Sequence, residues 1–149
     1  MNLVFTDEQK QSYSEDERMW INCLFRYLYG NMNTRMKNQD LMTNVYLANI
    51  QKINMIDGST MRKVIHFIRN EILPVNAGKV ARCFCLAVLP ESYKKGCFWL
   101  DATSMGYKAT KDVESIKNHI ETLESRRDQI DKDIESAKLV VKALERMEK

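Results

Sequence analysis

The residues best suited to chemistry in this sequence are the polar and basic side chains between Thr60 and Asn70. Arginine pairs bidentately with guanine, asparagine pairs with adenine, and lysine binds phosphate oxygens. Several of these side chains recur at helical spacing, so one face of a helix would carry them together. This pattern favours contact with duplex DNA, although a solvated helix face has the same composition. The candidate nucleic-acid-binding residues are Thr60, Arg62, Lys63, His66, Arg69 and Asn70, with Lys79, Arg82, Lys94 and Lys95 further along the chain.

Catalytic constellations are not recognisable in the sequence. The two histidines, His66 and His119, are far apart, so they give little support to a histidine-centred acid–base site. The acidic clusters Asp7-Glu8 and Glu15–Glu17 are explained by the attraction of helix N-termini for negative charge. No glycine-rich phosphate loop is present. The sequence therefore predicts a protein that is not an enzyme, without a cofactor or a bound metal.

The four cysteines admit three interpretations. Cys23, Cys83, Cys85 and Cys97 are enough in number for a disulfide framework. A zinc site is the second option, but the single residue between Cys83 and Cys85 is shorter than the usual ligand gap. Buried, reduced thiols are the third interpretation and the one that the chain length favours.

Three helices and a tight turn are expected to position the basic face. A capping box at Ser14–Glu17 predicts a helix that ends at Gly30, and a second helix should run from Gln39 to Asn54. Leu47, Ile50 and Ile53 are expected to thicken the inner face of that second helix. After an Asp-Gly turn and a serine cap, the third helix should span Thr60–Ile72 and end before a proline.

A β-hairpin is expected after the third helix. Lys79–Leu89 and Gly96–Ala102 are apolar runs rich in strand-forming residues, and the polar segment Pro90–Lys95 separates them. Met105–Ala109 could add a short strand. The order helix, turn, helix, hairpin is typical of a winged helix-turn-helix, in which the basic residues of the hairpin would meet the DNA backbone.

The last third of the chain has a heptad pattern from about Thr110 to Lys149. Its seam predicts pairing with another helix, and the charges at its flanks fit a parallel pair in which Arg126 faces Asp131 and Asp133 faces Lys138. Arg127 would weaken the seam but set its register. Packing of this face along the protein's own body is the alternative. The predicted oligomerisation residues are Val113, Ile120, Arg127, Ile134 and Val141 at position a, and Ile116, Leu123, Ile130, Ala137 and Leu144 at position d.

Charge is unevenly distributed along the chain. Residues 1–34 carry a net charge of −2, residues 35–110 carry +6 and residues 111–149 carry −1. A basic middle indicates a polyanionic partner for that part of the chain. The early acidic residues do not fit a secretion signal, and no apolar run is long enough for a membrane span, so we expect a cytoplasmic protein without a membrane partner.

The segment Gly58–Arg69 resembles a motif of small bacteriophage and prophage winged helix-turn-helix proteins. In that family a glycine turn precedes a helix of the form I-R-x-x-I-x-x-L-R and a Pro-Ile pair, whose place is taken here by Pro74-Val75. The Gly-Tyr that ends the family's wing is similar to Gly106-Tyr107, and Arg126 matches an arginine in the helix that follows. The resemblance covers about residues 55–130, and the longer segment between Val75 and Gly106 departs from it.

These patterns predict a mainly α fold with a small antiparallel β element (α+β). A winged-helix domain with an enlarged wing hairpin would span residues 1–109, and a coiled-coil helix would span residues 110–149. The resemblance implies a phage-encoded transcription regulator or replication accessory in a bacterial host. Double-stranded DNA is the expected partner of the basic third helix, and a second copy of the chain is the expected partner of the heptad helix. The alternative is a protein-interaction module that inhibits or adapts a host protein complex through the heptad helix and the apolar hairpin, without binding DNA.

Overall fold

The computed structural model describes Leu3, residues 5–73 and residues 98–147 of the 149-residue chain. The protein is mostly helical, with a two-stranded antiparallel sheet and a long C-terminal helix. The expected mainly α architecture with a small β element is therefore confirmed. The chain divides into two compact units, Met1–Lys111 and Asp112–Lys149.

Two capped helices open the N-terminal unit. Helix α1 spans Asp7–Ser12 and α2 spans Glu15–Gly30. Each begins with a capping box, because the side chains of Thr6 and Ser14 accept hydrogen bonds from N–H groups three residues later. The second box and the end of α2 at Gly30 agree with the prediction, whereas α1 was not predicted. Helix α2 forms the centre of the core, where Trp20 and Phe25 are fully buried.

Helix α3 spans Asn38–Ala48 and ends six residues before the predicted terminus. Asn49 closes it, since its backbone N–H donates to the Tyr46 carbonyl and its side chain donates to the Val45 carbonyl. Leu47 and Ile50 are 60% and 55% exposed, so their predicted place in the core is wrong. Nine residues connect α3 to α4 in place of the tight turn that was expected, because α3 ends early. A hydrogen bond from the Trp20 indole to the Asn54 carbonyl anchors this connection.

Helix α4 spans Gly58–Phe67 and continues into a π-helical turn at Ile68–Ile72. Asp57 caps it through a hydrogen bond from the Thr60 N–H, so the expected serine cap is replaced by the aspartate two residues earlier. The apolar positions of α4 and of the π-helical turn point into the core. They are Met61, Val64, Ile65, Phe67, Ile68 and Ile72.

Strands β1 (Trp99–Thr103) and β2 (Gly106–Thr110) pair with each other in antiparallel register. The expected hairpin within Lys79–Ala102 falls largely outside the described residues. The described end of that hairpin is β1. After the turn at Ser104-Met105 it is followed by β2, which corresponds to the short additional strand expected at Met105–Ala109. On the other side of β2, Met36 forms an isolated antiparallel bridge with Tyr107. This bridge ties the segment before α3 to the sheet.

Helix α5 spans Val113–Met147 without interruption. Its first turn is capped by Asp112, whose carboxylate accepts a hydrogen bond from the Ser115 N–H. The expected cap, Thr110, is instead the buried last residue of β2. Across the described ranges, no helix has the length and apolar character needed to cross a membrane.

Candidate nucleic-acid interface

One face of α4 is polar and exposed because the helix buries its opposite side. Arg62 and His66 are exposed one turn apart, and Thr60 is half-buried in the first turn. The Thr60 N–H that bonds to Asp57 holds the pKa of that carboxyl below its usual 3.8, so the cap stays ionised. The first turn of α4 is thus fixed by its cap, while its polar side chains face solvent.

Asn70 extends this face into the π-helical turn. Its side-chain amide donates to the His66 carbonyl at 3.0 Å and lies 3.1 Å from Nδ1 of the same histidine. The two polar side chains therefore form one exposed pair at the C-terminal end of the face. The second amide hydrogen and the amide oxygen of Asn70 are the groups that could pair with a base edge.

Lys63 lies on the same helix and is 45% exposed, but its ammonium contacts other parts of the fold. Its ammonium donates to the Ser12 carbonyl at 3.0 Å, lies 3.0 Å from a Glu17 carboxylate oxygen and stacks over the Tyr13 ring at 4.8 Å. These contacts tie α4 to the junction between α1 and α2. The charge of Lys63 is thereby balanced by that of Glu17.

Arg69 is also occupied by internal contacts. Its guanidinium donates to the Leu100 carbonyl at 2.6 Å and stacks on the Trp99 ring at 5.2 Å. Burial lowers the pKa of Arg69 below its ordinary value, which is the expected effect of removing a cation from water. The predicted set of α4 contacts is therefore divided, since Lys63 and Arg69 brace the fold while Arg62, His66 and Asn70 face solvent.

The start of α3 lies beside the start of α4, where no site residue was predicted. A methyl group added to Gly58 would lie 4.0 Å from the Arg62 guanidinium and 3.9 Å from the Asn38 side-chain amide. Lys37, the N-cap residue of α3, is exposed and makes no side-chain cap to the helix. The backbone N–H groups and the dipole of this uncapped helix start favour an anion, and Lys37 adds a positive charge, whereas Asp40 in the first turn adds a negative one. The run Lys37-Asn38-Gln39 before an apolar helix was the available signal.

Arg35 braces the β-turn and was also missed. Its guanidinium donates to the Asp101 carboxylate at 2.5 Å, to the Gly106 carbonyl at 2.9 Å and to the Thr103 hydroxyl at 3.1 Å. Asp101 is buried, so this ion pair is shielded from water on one side. The brace holds the tip of the β1–β2 hairpin, where Met105 is exposed, against the segment before α3.

The remaining predicted residues are distributed as follows. Lys79, Arg82, Lys94 and Lys95 lie outside the described residues. Within the described part of the chain, Cys23 is a free, buried thiol, and no group of three or more histidine, cysteine, aspartate or glutamate side chains could hold a metal. The predicted oligomerisation residues all lie on α5, and most of the large apolar ones are exposed.

Comparison with known proteins finds no counterpart for this arrangement. No protein-family model matches the chain, and neither the curated proteins nor the solved structures contain a significant match to it.

Proposed function

We propose that the N-terminal unit is a winged-helix domain that binds duplex DNA, with α4 in the major groove. The observation that carries the proposal is the position of three exposed polar side chains, Arg62, His66 and Asn70, on the solvent side of a helix whose other side is core. This is the side-chain set that reads base edges, and a helix is the element that the major groove admits.

The arrangement around α4 supports the same function. Helices α3 and α4 are followed by the β1–β2 hairpin, and the Met36 bridge adds a short third segment at the edge of β2. A winged helix-turn-helix has this order, with the hairpin as the wing. In this proposal the wing is the β1–β2 hairpin with its two-residue turn Ser104-Met105, since the enlarged hairpin expected from the sequence lies largely outside the described residues.

Phosphate contacts would come from the start of α3. Lys37 precedes Asn38, whose side-chain amide and the Arg62 guanidinium lie 3.9 Å and 4.0 Å from the Cβ position of Gly58, so the DNA backbone would cross that helix start while α4 enters the groove. The resemblance of Gly58–Arg69 to phage winged-helix proteins favours a transcription regulator or a replication accessory. In this proposal the protein binds and positions DNA and catalyses no reaction.

Titration of a mixed-sequence duplex followed by fluorescence anisotropy tests the function directly. We expect a dissociation constant below about 10 μM at low salt, since non-specific phosphate contacts alone reach that range. The logarithm of the binding constant should fall linearly with the logarithm of the salt concentration. Absence of salt-sensitive binding to any duplex under these conditions would exclude DNA binding.

A second candidate function is supported by one surface feature. Leu47, Ile50 and Met55 are exposed within nine residues of the chain, at the end of α3 and in the connection to α4, and contiguous exposed apolar groups are typical of protein-binding surfaces. The protein would then inhibit or adapt a host complex and not bind DNA. This candidate predicts that a bacterial protein captured after nuclease treatment is lost when Leu47→Ser and Ile50→Ser are combined, while Arg62→Ala has no effect.

A further inference from the structure

The apolar seam of α5 is exposed along nearly its whole length. The helix has 35 residues, or about 52 Å at 1.5 Å per residue, and large apolar side chains recur on one side of it. Helices in proteins owe most of their stability to the packing of such a face, so a seam open to water is costly. The exposed seam residues are Val113, Ile120, Leu123, Ile130, Ile134, Val141 and Leu144, each at least 38% exposed.

The charges beside the seam identify its occupant as a second copy of this chain. In a parallel pair each g residue faces the e residue five positions later on the partner helix. Arg126 then faces Asp131, and Asp133 faces Lys138, so each of these contacts joins opposite charges twice in a symmetric pair. All four side chains are exposed in the single chain and available for such contacts.

An antiparallel pair centred near Asp128 brings like charges together at the e positions. That arrangement would place Glu124 opposite Asp131 and Lys117 opposite Lys138. Only the g positions, with Arg126 opposite Asp133, would attract each other. Like charges at these flanking positions are unfavourable. Charge complementarity therefore favours the parallel direction.

The seam residues favour two chains in register. Four of the five a positions hold β-branched residues and two of the five d positions hold leucine, which favours two-stranded coils, whereas Ile116 and Ile130 at position d favour more strands. The fifth a position is Arg127. Its long side chain can reach water past the seam when two arginines share one layer, whereas a shifted register would place each of them against apolar partners.

We propose that two copies of the chain associate through α5 as a parallel, in-register coiled coil over residues 113–147. This association goes beyond the proposed DNA binding and does not depend on it. Both experiments that test the association omit DNA, so their failure would contradict the association without bearing on DNA binding.

The first experiment measures the mass of the full-length chain in solution by sedimentation equilibrium. We expect twice the 17.5 kDa of one chain at micromolar concentrations, with dissociation on dilution. Replacement of Ile130 and Ile134 by Ser should shift the mass to that of a single chain, because both lie in the middle of the seam. A single-chain mass for the parent at all attainable concentrations, or a three-chain mass, would overturn the proposal.

The second experiment tests direction through charge exchange. Arg126→Glu should weaken association about tenfold, since two attractive contacts become repulsive. Adding Asp131→Arg should recover most of the loss in a parallel pair. Adding Asp133→Arg instead changes the net charge equally, but in a parallel pair it leaves the introduced glutamate opposite Asp131 and places the introduced arginine opposite Lys138. Stronger association of this second double variant than of the first would contradict the parallel arrangement.

Discussion

Gly106 holds the β-turn against the segment before α3 through the absence of a side chain. Its φ of 116° is a conformation that other residues rarely adopt, and a Cβ atom there would lie 2.1 Å from the Met36 carbonyl oxygen. The two hydrogen bonds between Met36 and Tyr107 depend on this close approach. The Gly-Tyr pair is visible in the sequence, but the approach of the Met36 backbone to Gly106 is not predictable from it.

Gly106→Ala should therefore destabilise the protein by about 2 kcal/mol or more, through both strain and steric overlap. Thermal unfolding followed by circular dichroism should show a fall of about 5 °C in the unfolding temperature. Gly30→Ala is the matched control, because a Cβ atom at Gly30 meets nothing within 4 Å, and its effect should stay within about 1 kcal/mol. Equal effects of the two substitutions would show that the close approach of Gly106 to Met36 does not contribute to stability.

Glu17 links stability to pH. Burial alone would raise the pKa of its carboxyl, but hydrogen bonds from the Ser14 N–H and from Lys63 outweigh burial and lower the pKa below the ordinary 4.5. A lowered pKa in the folded state stabilises the protein fully above about pH 4.5, and this contribution is lost as the pH falls through the folded-state value.

Glu17→Gln should consequently lower the unfolding temperature at neutral pH and flatten its decline between about pH 6 and about pH 3, as measured by calorimetry. Glu15→Gln changes an exposed carboxyl in the same helical turn and should follow the parent. A parallel decline in all three proteins would mean that the contact between Glu17 and Lys63 contributes nothing to acid sensitivity.

At the scale of elements, the basic residues of α4 differ in what they contact. Arg62 is exposed beside the start of α3, while the neighbouring Lys63 is bound to Glu17 and to the Ser12 carbonyl. Both residues are cationic and adjacent in sequence. Their different surroundings make them a matched pair for testing the proposed contact between α4 and DNA.

Arg62→Ala should weaken duplex binding about tenfold and relax its sequence preference, the effect of losing one arginine contact to a base edge. Lys63→Ala should leave the binding constant within about twofold, because its charge is already balanced, and should instead lower stability by roughly 0.5–1 kcal/mol. Anisotropy titrations over a series of salt concentrations distinguish the two. A larger loss of affinity for Lys63→Ala would move the contact surface to the side of α4 that faces α1.

Helix positions were predictable because they depend on local signals. The capping box at Ser14, the end of α2 and the continuous heptad helix all follow from side chains within a few residues of each other. The same signal at Thr6 and Gln9 could have revealed α1. The end of α3 could not be inferred from apolar spacing, since Leu47 and Ile50 continue the pattern but face solvent.

The candidate site was predictable only in part, because tertiary contacts decide which of its basic residues are exposed and which contact the rest of the fold. Nothing in the spacing of Lys63 and Arg69 distinguishes them from Arg62, and the division depends on Glu17 and on the Leu100 carbonyl, both distant in sequence. The bridge at Met36 likewise arises from a contact between segments about seventy residues apart, which no local pattern encodes.

At the scale of the whole molecule, the proposed DNA binding of the N-terminal unit and the proposed pairing of α5 together imply a protein that recognises two half-sites. Two-fold symmetric proteins bind sites whose halves repeat at about one helical turn, roughly 34–36 Å, or a multiple of it. A duplex with two copies of a preferred sequence should accordingly bind more tightly than a duplex with one. The variant with both Ile130→Ser and Ile134→Ser should bind the two duplexes equally tightly per copy of the sequence.

The mass of the full-length protein with and without duplex DNA, measured by sedimentation, tests the central claim most directly. We expect two chains, twice 17.5 kDa, in the absence of DNA, and a complex of two chains with one duplex in its presence. A protein that sediments as a single chain, with a duplex that sediments at its own unaltered rate beside it, would contradict both the pairing of α5 and the binding of DNA by α4.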